Sequence, residues 1–226
     1  MSNSGFLVPG KIGPVALGGG SVPWYLAGGA PTPIVVYQPK GAASLAASYI
    51  NVVSPGTYDA APGTAPSFAT ATGWTFAAAS LQYLTTGYTP GAVFSPQSLS
   101  AVVRIVNATA GVAFGALNGA QNGIRLWPIN AGNLYVTNGA ALTLAGGATS
   151  TGVIIIAGGD IYINGADVGN IAAAVSPSVP ALPIGVQNFN GSLGGYFSGT
   201  ITHFALYGAV LSPIAAAAVS AAVAAL

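Results

Sequence analysis

Val153-Ile154-Ile155-Ile156-Ala157-Gly158-Gly159-Asp160-Ile161-Tyr162-Ile163-Asn164-Gly165 decides how this chain folds. The run Val153 to Ile156 is β-branched throughout and has no polar position, which predicts a strand buried on both faces. Gly158-Gly159-Asp160 turns the chain. Ile161-Tyr162-Ile163 is a second strand, and Asn164-Gly165 is a hairpin signal, because a type I′ turn needs positive φ at both central residues.

The same rhythm extends outward. In Ser98 to Ile105, the residues Leu99, Ala101, Val103 and Ile105 share one face, and Ser98, Ser100 and Arg104 share the other. Thr200 to Tyr207 is another strand, whose parity slips between Ile201 and Phe204 and predicts a bulge near His203. Thirty-three glycines and 16 prolines punctuate short Val, Ile, Tyr, Leu and Thr runs. That pattern predicts an all-β sandwich. Residues 212–226 form the exception, a helix with Ser212 as N-cap and Pro213 at the first helical position. Ile214, Val219, Val223 and Leu226 supply its packing stripe. Residues 1–35 are Gly/Pro-rich yet too apolar for a solvated linker. Phe6, Leu7, Trp24 and Tyr25 mark them as a docking arm, lying on its own domain's edge or, the preferred reading, on a neighbouring subunit.

Charge is nearly absent. The chain has four basic and three acidic residues, no glutamate, one histidine and no cysteine, for a net charge of +1. Charged residues make up 3% of it, where an ordinary domain carries about 25%. With a mean hydropathy of +0.67, such a chain has little self-repulsion to keep copies apart. Four scattered cations do not make a nucleic-acid footprint. No apolar run reaches the roughly 20 residues of a membrane helix. The beginning of the chain lacks the basic and apolar regions of a secretory signal, so synthesis in a cytoplasm is expected.

Gly73-Trp74-Thr75-Phe76 through Gln82-Tyr83-Leu84-Thr85-Thr86-Gly87 resembles the first core strands of the concanavalin A-like, or LamG-like, jelly roll. Asp160 to Gly165 is similar to that family's central hairpin. Tyr196-Phe197-Ser198-Gly199-Thr200-Ile201 through Leu211-Ser212 resembles its closing signature, which precedes a short helix. The resemblance implies a jelly-roll sandwich of two antiparallel sheets over residues 36–226. Val36 to Tyr49, with Pro55-Gly56-Thr57-Tyr58, is similar to a subgroup common in structural proteins of tailed phages. That implies a virion-surface protein, a head or tail fibre or a capsid decoration, with itself and other virion proteins as partners. A non-viral extracellular filament is the alternative setting.

Chemistry is sparse. Glycoside hydrolysis needs a pair of flanking carboxylates, and Asp59, Asp160 and Asp167 are scattered and read as turn residues. His203 has no sequence partner for a triad or a metal site. Calcium prefers several carboxylates among six to eight oxygens, which leaves Asp59 and Asp167 as weak candidates and no cofactor expected. The chain is therefore expected to be non-enzymatic. A glycan site combines an aromatic platform with neutral hydrogen-bonding side chains. Two loops have that composition: Gln187-Asn188-Phe189-Asn190, and Trp127 with Asn122 and Arg125. They make a carbohydrate-binding adhesion module the alternative function, with host-surface glycans as partners.

Overall fold

The computed structural model describes residues 22–91, 98–120, 122–138, 140–144, 146–171 and 180–226. Phe6 and Leu7 lie outside the described residues. In chain order the early strands are β1 (Val35–Tyr37), β2 (Ala61–Thr64), β3 (Ser67–Ala69), β4 (Gly73–Phe76) and β5 (Tyr83–Thr85). The central ones are β6 (Ser100–Ala110), β7 (Phe114–Leu117), β8 (Gly123–Asn130), β9 (Asn133–Asn138) and β10 (Ala140–Leu144). Then come β11 (Gly152–Ala157), β12 (Asp160–Ile163), β13 (Ala166–Asn170) and β14 (Pro183–Ile184). β15 (Gln187–Phe189), β16 (Ser192–Gly194) and β17 (Ser198–Tyr207) complete them. Helices are short: α1 (Leu45–Ser48), α2 (Pro213–Ala224) and a 3₁₀ segment over Trp24–Gly29.

These strands form two sheets, as a jelly-roll sandwich requires. The first has eight strands in the order β13-β12-β11-β6-β17-β4-β3, with β1 also paired to β17. The second has nine, in the order β10-β9-β8-β7-β14-β5-β2, with β15 on β7 and β16 on β15.

The run Val153 to Ala157 is buried on both sides, and alternation explains how. Ile154 and Ile156 enter the core between the sheets. Val153, Ile155 and Ala157 enter a second apolar layer beneath α2. Burying an aliphatic side chain of this size contributes about 1.5–3 kcal/mol, so one strand stabilises two interfaces. Asn164 and Gly165 both have positive φ, 51° and 83°, and Ile163 pairs with Ala166 across them. The bulge falls where parity slips: the register between β17 and β6 shifts between Ile201 and His203.

One expectation changes in part. The stripe of α2 runs through Ala215, Ala216, Val219, Ser220 and Val223, while Ile214 is 76% exposed. The 3₁₀ segment approaches the helix closely at Ala218, beside that stripe. A Cβ on Gly28 would lie 2.6 Å from the Ala218 Cβ. The arm's described aromatics take the first of the two placements that the sequence allowed. Trp24 and Tyr25 sit on their own domain: Trp24 is buried against α2 and donates through Nε1 to Gln38 Oε1 at 3.1 Å. Tyr207 Oη donates to the Tyr25 carbonyl at 2.9 Å. A tryptophan with an apolar layer available in its own chain is buried there first, since the local contact has no association entropy to overcome.

The stretch Val36 to Tyr58 also acquires a structural role. Asn51 is fully buried. Its Oδ1 accepts from Val36 N at 2.9 Å, and its Nδ2 donates to the carbonyls of Ile34 at 3.0 Å and Thr57 at 2.9 Å. Ser48 Oγ accepts from Trp74 Nε1 at 2.7 Å. This buried polar network fastens the 49–59 loop to β1.

Candidate functional site

Alternation along β7, β8 and β9 sorts their side chains. Phe114, Ala116, Ile124, Leu126, Leu134 and Val136 enter the core. Gly115, Arg125, Trp127, Tyr135 and Thr137 therefore lie on the outer face of the nine-stranded sheet. Register sets Arg125 between Gly115 and Thr137, and Trp127 beside Tyr135. β15 runs parallel to β7 and brings Gln187 next to Gly115 and Phe189 next to Leu117.

Arg125 is the centre of this face. It is only 6% exposed. Nη1 donates to Gln187 Oε1 at 2.8 Å and Nη2 to Thr137 Oγ1 at 3.2 Å. Its guanidinium carbon lies 4.8 Å from the Tyr135 ring centroid, a cation–π distance. Arg125 Nε and Trp127 Nε1 are buried and have no hydrogen-bond partner. Burial pulls the guanidinium below its ordinary range, and Tyr135 opposes that shift; an arginine nevertheless stays charged. Gly115 makes room for the pair. A Cβ there would meet Arg125 Cγ at 3.1 Å, Arg125 Cβ at 3.2 Å and Gln187 Cβ at 3.3 Å.

Arg125, Trp127, Gln187 and Phe189 are thus brought onto one face, although Trp127 and Arg125 belong to strand β8 and not to a loop. Asn190 sits in a turn that the Asn188 side chain holds instead, and Asn122 lies in a turn held by the Asn118 side chain. Asn122 N donates to Asn118 Oδ1 at 3.0 Å. Asn188 Nδ2 donates to the Ala181 carbonyl at 3.2 Å, and its Oδ1 accepts from Gly191 N at 2.9 Å. Asn190 occupies a left-handed turn position with φ 49°. Tyr135 and Thr137 escaped sequence reading, because only the pairing of β8 with β9 puts them beside Arg125.

The weak calcium candidates are employed elsewhere. Asp59 accepts from Asn51 N at 2.8 Å and Gly56 N at 3.0 Å, and Asp167 accepts from Gly169 N at 3.1 Å. No group of three His, Asp, Glu or Cys side chains comes together among the described residues.

The fold has solved relatives. A tryptophan mutant of HCR/D superposes with a TM-score of 0.54 at 13% identity, over 84% of this chain and 52% of that one. The CBM40 of an IT-sialidase from Ruminococcus gnavus gives 0.46 at 16% identity, covering 57% of this chain and 84% of its own. Domain 4 of AbnA, a GH43 extracellular arabinanase from Geobacillus stearothermophilus in complex with arabinotriose, gives 0.43 at 17%, covering 62% and 72%. This chain has the jelly-roll sandwich fold. None of these three is named as a phage or virion protein. No family model matches the chain, and no curated protein matches it.

Proposed function

We propose that this protein is a non-catalytic carbohydrate-binding module whose binding face is the outer surface of β7, β8, β9 and β15. Arg125 is the observation that carries the reading. A guanidinium buried without a carboxylate partner costs stability, and a chain with only four basic residues keeps one there. Its neighbours suit a saccharide. Trp127, Tyr135 and Phe189 offer aromatic surface for the ring faces of a sugar. Gln187, which is partly exposed, offers its side-chain amide to hydroxyls. The reading rests on this cluster, and the likenesses to carbohydrate-associated domains speak to the fold alone.

The test is a glycan array followed by titration of the best hit against Arg125→Met and Trp127→Ala. Arg125→Met is expected to weaken binding at least about tenfold, while the melting temperature stays within about 3 °C, because a buried charge is removed along with its bonds. A silent array, or equal binding by wild type and both variants, overturns the reading.

A second reading, self-assembly of identical sandwiches, is favoured by a different feature. A groove of about 380 Å³ beside the 3₁₀ segment is lined by Val22, Trp24, Tyr25, Val52 and Leu226 with no charged side chain. Val22 is 66% exposed there. A second copy of this weakly charged chain would meet little electrostatic resistance, and a virion surface is one setting for such an assembly. Light scattering across concentration tests it: a monomer throughout excludes it.

A further inference from the structure

The opposite sheet has a pocket of different character. It encloses about 230 Å³ on the outer face of β6 and β17 and is lined by Lys40, Arg104, Thr72, Asn107, Thr200 and Thr202. Two of the chain's four basic residues thus face one small space, and no acidic side chain lines it. The bulge in β17 builds this wall. Ile201 and Phe204 both enter the core, so the extra residue leaves Thr202 and His203 together opposite Arg104.

Helix capping explains part of the arrangement. Arg104 Nη1 donates to the Val223 carbonyl at 2.6 Å, and Lys40 Nζ donates to the Leu226 carbonyl. Cations at the C-terminal end of a helix such as α2 are stabilising. Each side chain uses one donor for this, whereas Arg has five and Lys three. Thr72, Thr200 and Asn107 line the same pocket, and the Thr200 hydroxyl is bonded to Thr75 Oγ1 at 2.9 Å. The positive field is felt next door: burial first, then Arg104 and Lys40, hold the buried His203 imidazole down at about 4.

We propose that this pocket binds a small oxyanion, a carboxylate or a sulfate, either free or carried on an acidic sugar. The volume is below the roughly 300–1,000 Å³ of pockets that enclose drug-sized ligands, so only the charged end of a larger molecule enters. Binding is expected to be weak, since partly exposed ion pairs contribute little, and to weaken further with salt. The site shares no residue with the Arg125 face, so either proposal stands if the other fails.

His203 is the chain's only histidine, which makes its imidazole resonances an unambiguous probe. The full chain is titrated with sodium sulfate, sodium glucuronate and glucose at constant ionic strength. Sulfate or glucuronate is expected to shift His203 saturably and raise its titration midpoint, and glucose to leave it unmoved. Lys40→Gln and Arg104→Gln keep a donor for the helix carbonyls and are expected to weaken binding about tenfold each. Thr72→Val leaves both helix contacts intact and is expected to weaken it about threefold. Saturation by sulfate as tightly as by glucuronate assigns a bare-anion site, and a clear preference for glucuronate assigns an acidic sugar. No saturable shift with either anion, an equal response to glucose, or wild-type binding by all three variants overturns the proposal.

Discussion

Arg125 and Gln187 are bonded across an intervening strand, Nη1 to Oε1 at 2.8 Å, and their side chains meet over Gly115. Register alone creates this relationship: Gly115 pairs with Arg125 on one side and with Gln187 on the other. A side chain at position 115 would occupy the space in which the two partners meet.

Gly115→Ala is therefore expected to cost about 1–2 kcal/mol, since a neighbour must yield by a few tenths of an ångström. It should also weaken any ligand that depends on Arg125. Gly194→Ala is the control, because nothing lies within 4 Å of a Cβ there. Thermal melts of the two variants check this: a fall of roughly 2–6 °C is expected for Gly115→Ala, and no more than about 1 °C for Gly194→Ala.

Asn51 is the polar centre of the loop behind β1. Besides its bonds to Val36, Ile34 and Thr57, its Oδ1 accepts from Val53 N at 3.3 Å. Asn51→Ala leaves several buried backbone groups without partners, and the expected cost is about 3 kcal/mol or more. Asn51→Asp keeps the accepted bonds, loses both donated ones and buries a charge, so it should be no milder. A drop of about 10 °C in melting temperature is the expected reading for each; a drop under about 3 °C would show that the loop is held by something else.

His203 makes stability depend on pH in a defined window. An unfolded histidine titrates near 6.5, while the folded one is held at about 4 by burial, Arg104 and Lys40. Between those values the unfolded chain binds the extra proton. Stability is thus full above about pH 6.5 and falls as pH drops toward 4, by on the order of 3 kcal/mol. With only three acidic residues and no other histidine, the background titration is small. Urea melts at pH 7.5 and 4.5 should show the loss in wild type and little of it in His203→Gln. Equal slopes in the two proteins would remove His203 as the cause.

The strand pattern was readable because alternation is a local signal. Leu99, Ala101, Val103 and Ile105 all reach the core, and the slipped parity at Ile201 to Phe204 marked a real bulge. The stripe of α2 was readable in part: Val219 and Val223 lie on it, while Ile214 and Leu226 are exposed. Alanine carries too little hydrophobic contrast for Ala215 and Ala216 to be placed on that face from the sequence. The candidate face was legible only in part. Arg125, Trp127, Gln187 and Phe189 stand out by residue type, but asparagines in or beside turns, such as Asn190 and Asn188, have the same composition as a sugar loop.

The sequence by itself determined the strands, their tight turns, the capped helix and the scarcity of charge, because each is set by residues adjacent in the chain. Tertiary structure decided which face Trp24 covers, that Asn51 joins β1 to its loop, and that Tyr135 and Thr137 flank Arg125. It also gathered Lys40 and Arg104, 64 positions apart in the sequence, at one helix end. These are relations between strands and helices distant along the chain. They follow from register and from which sheet face α2 covers, and no window of neighbouring residues records either.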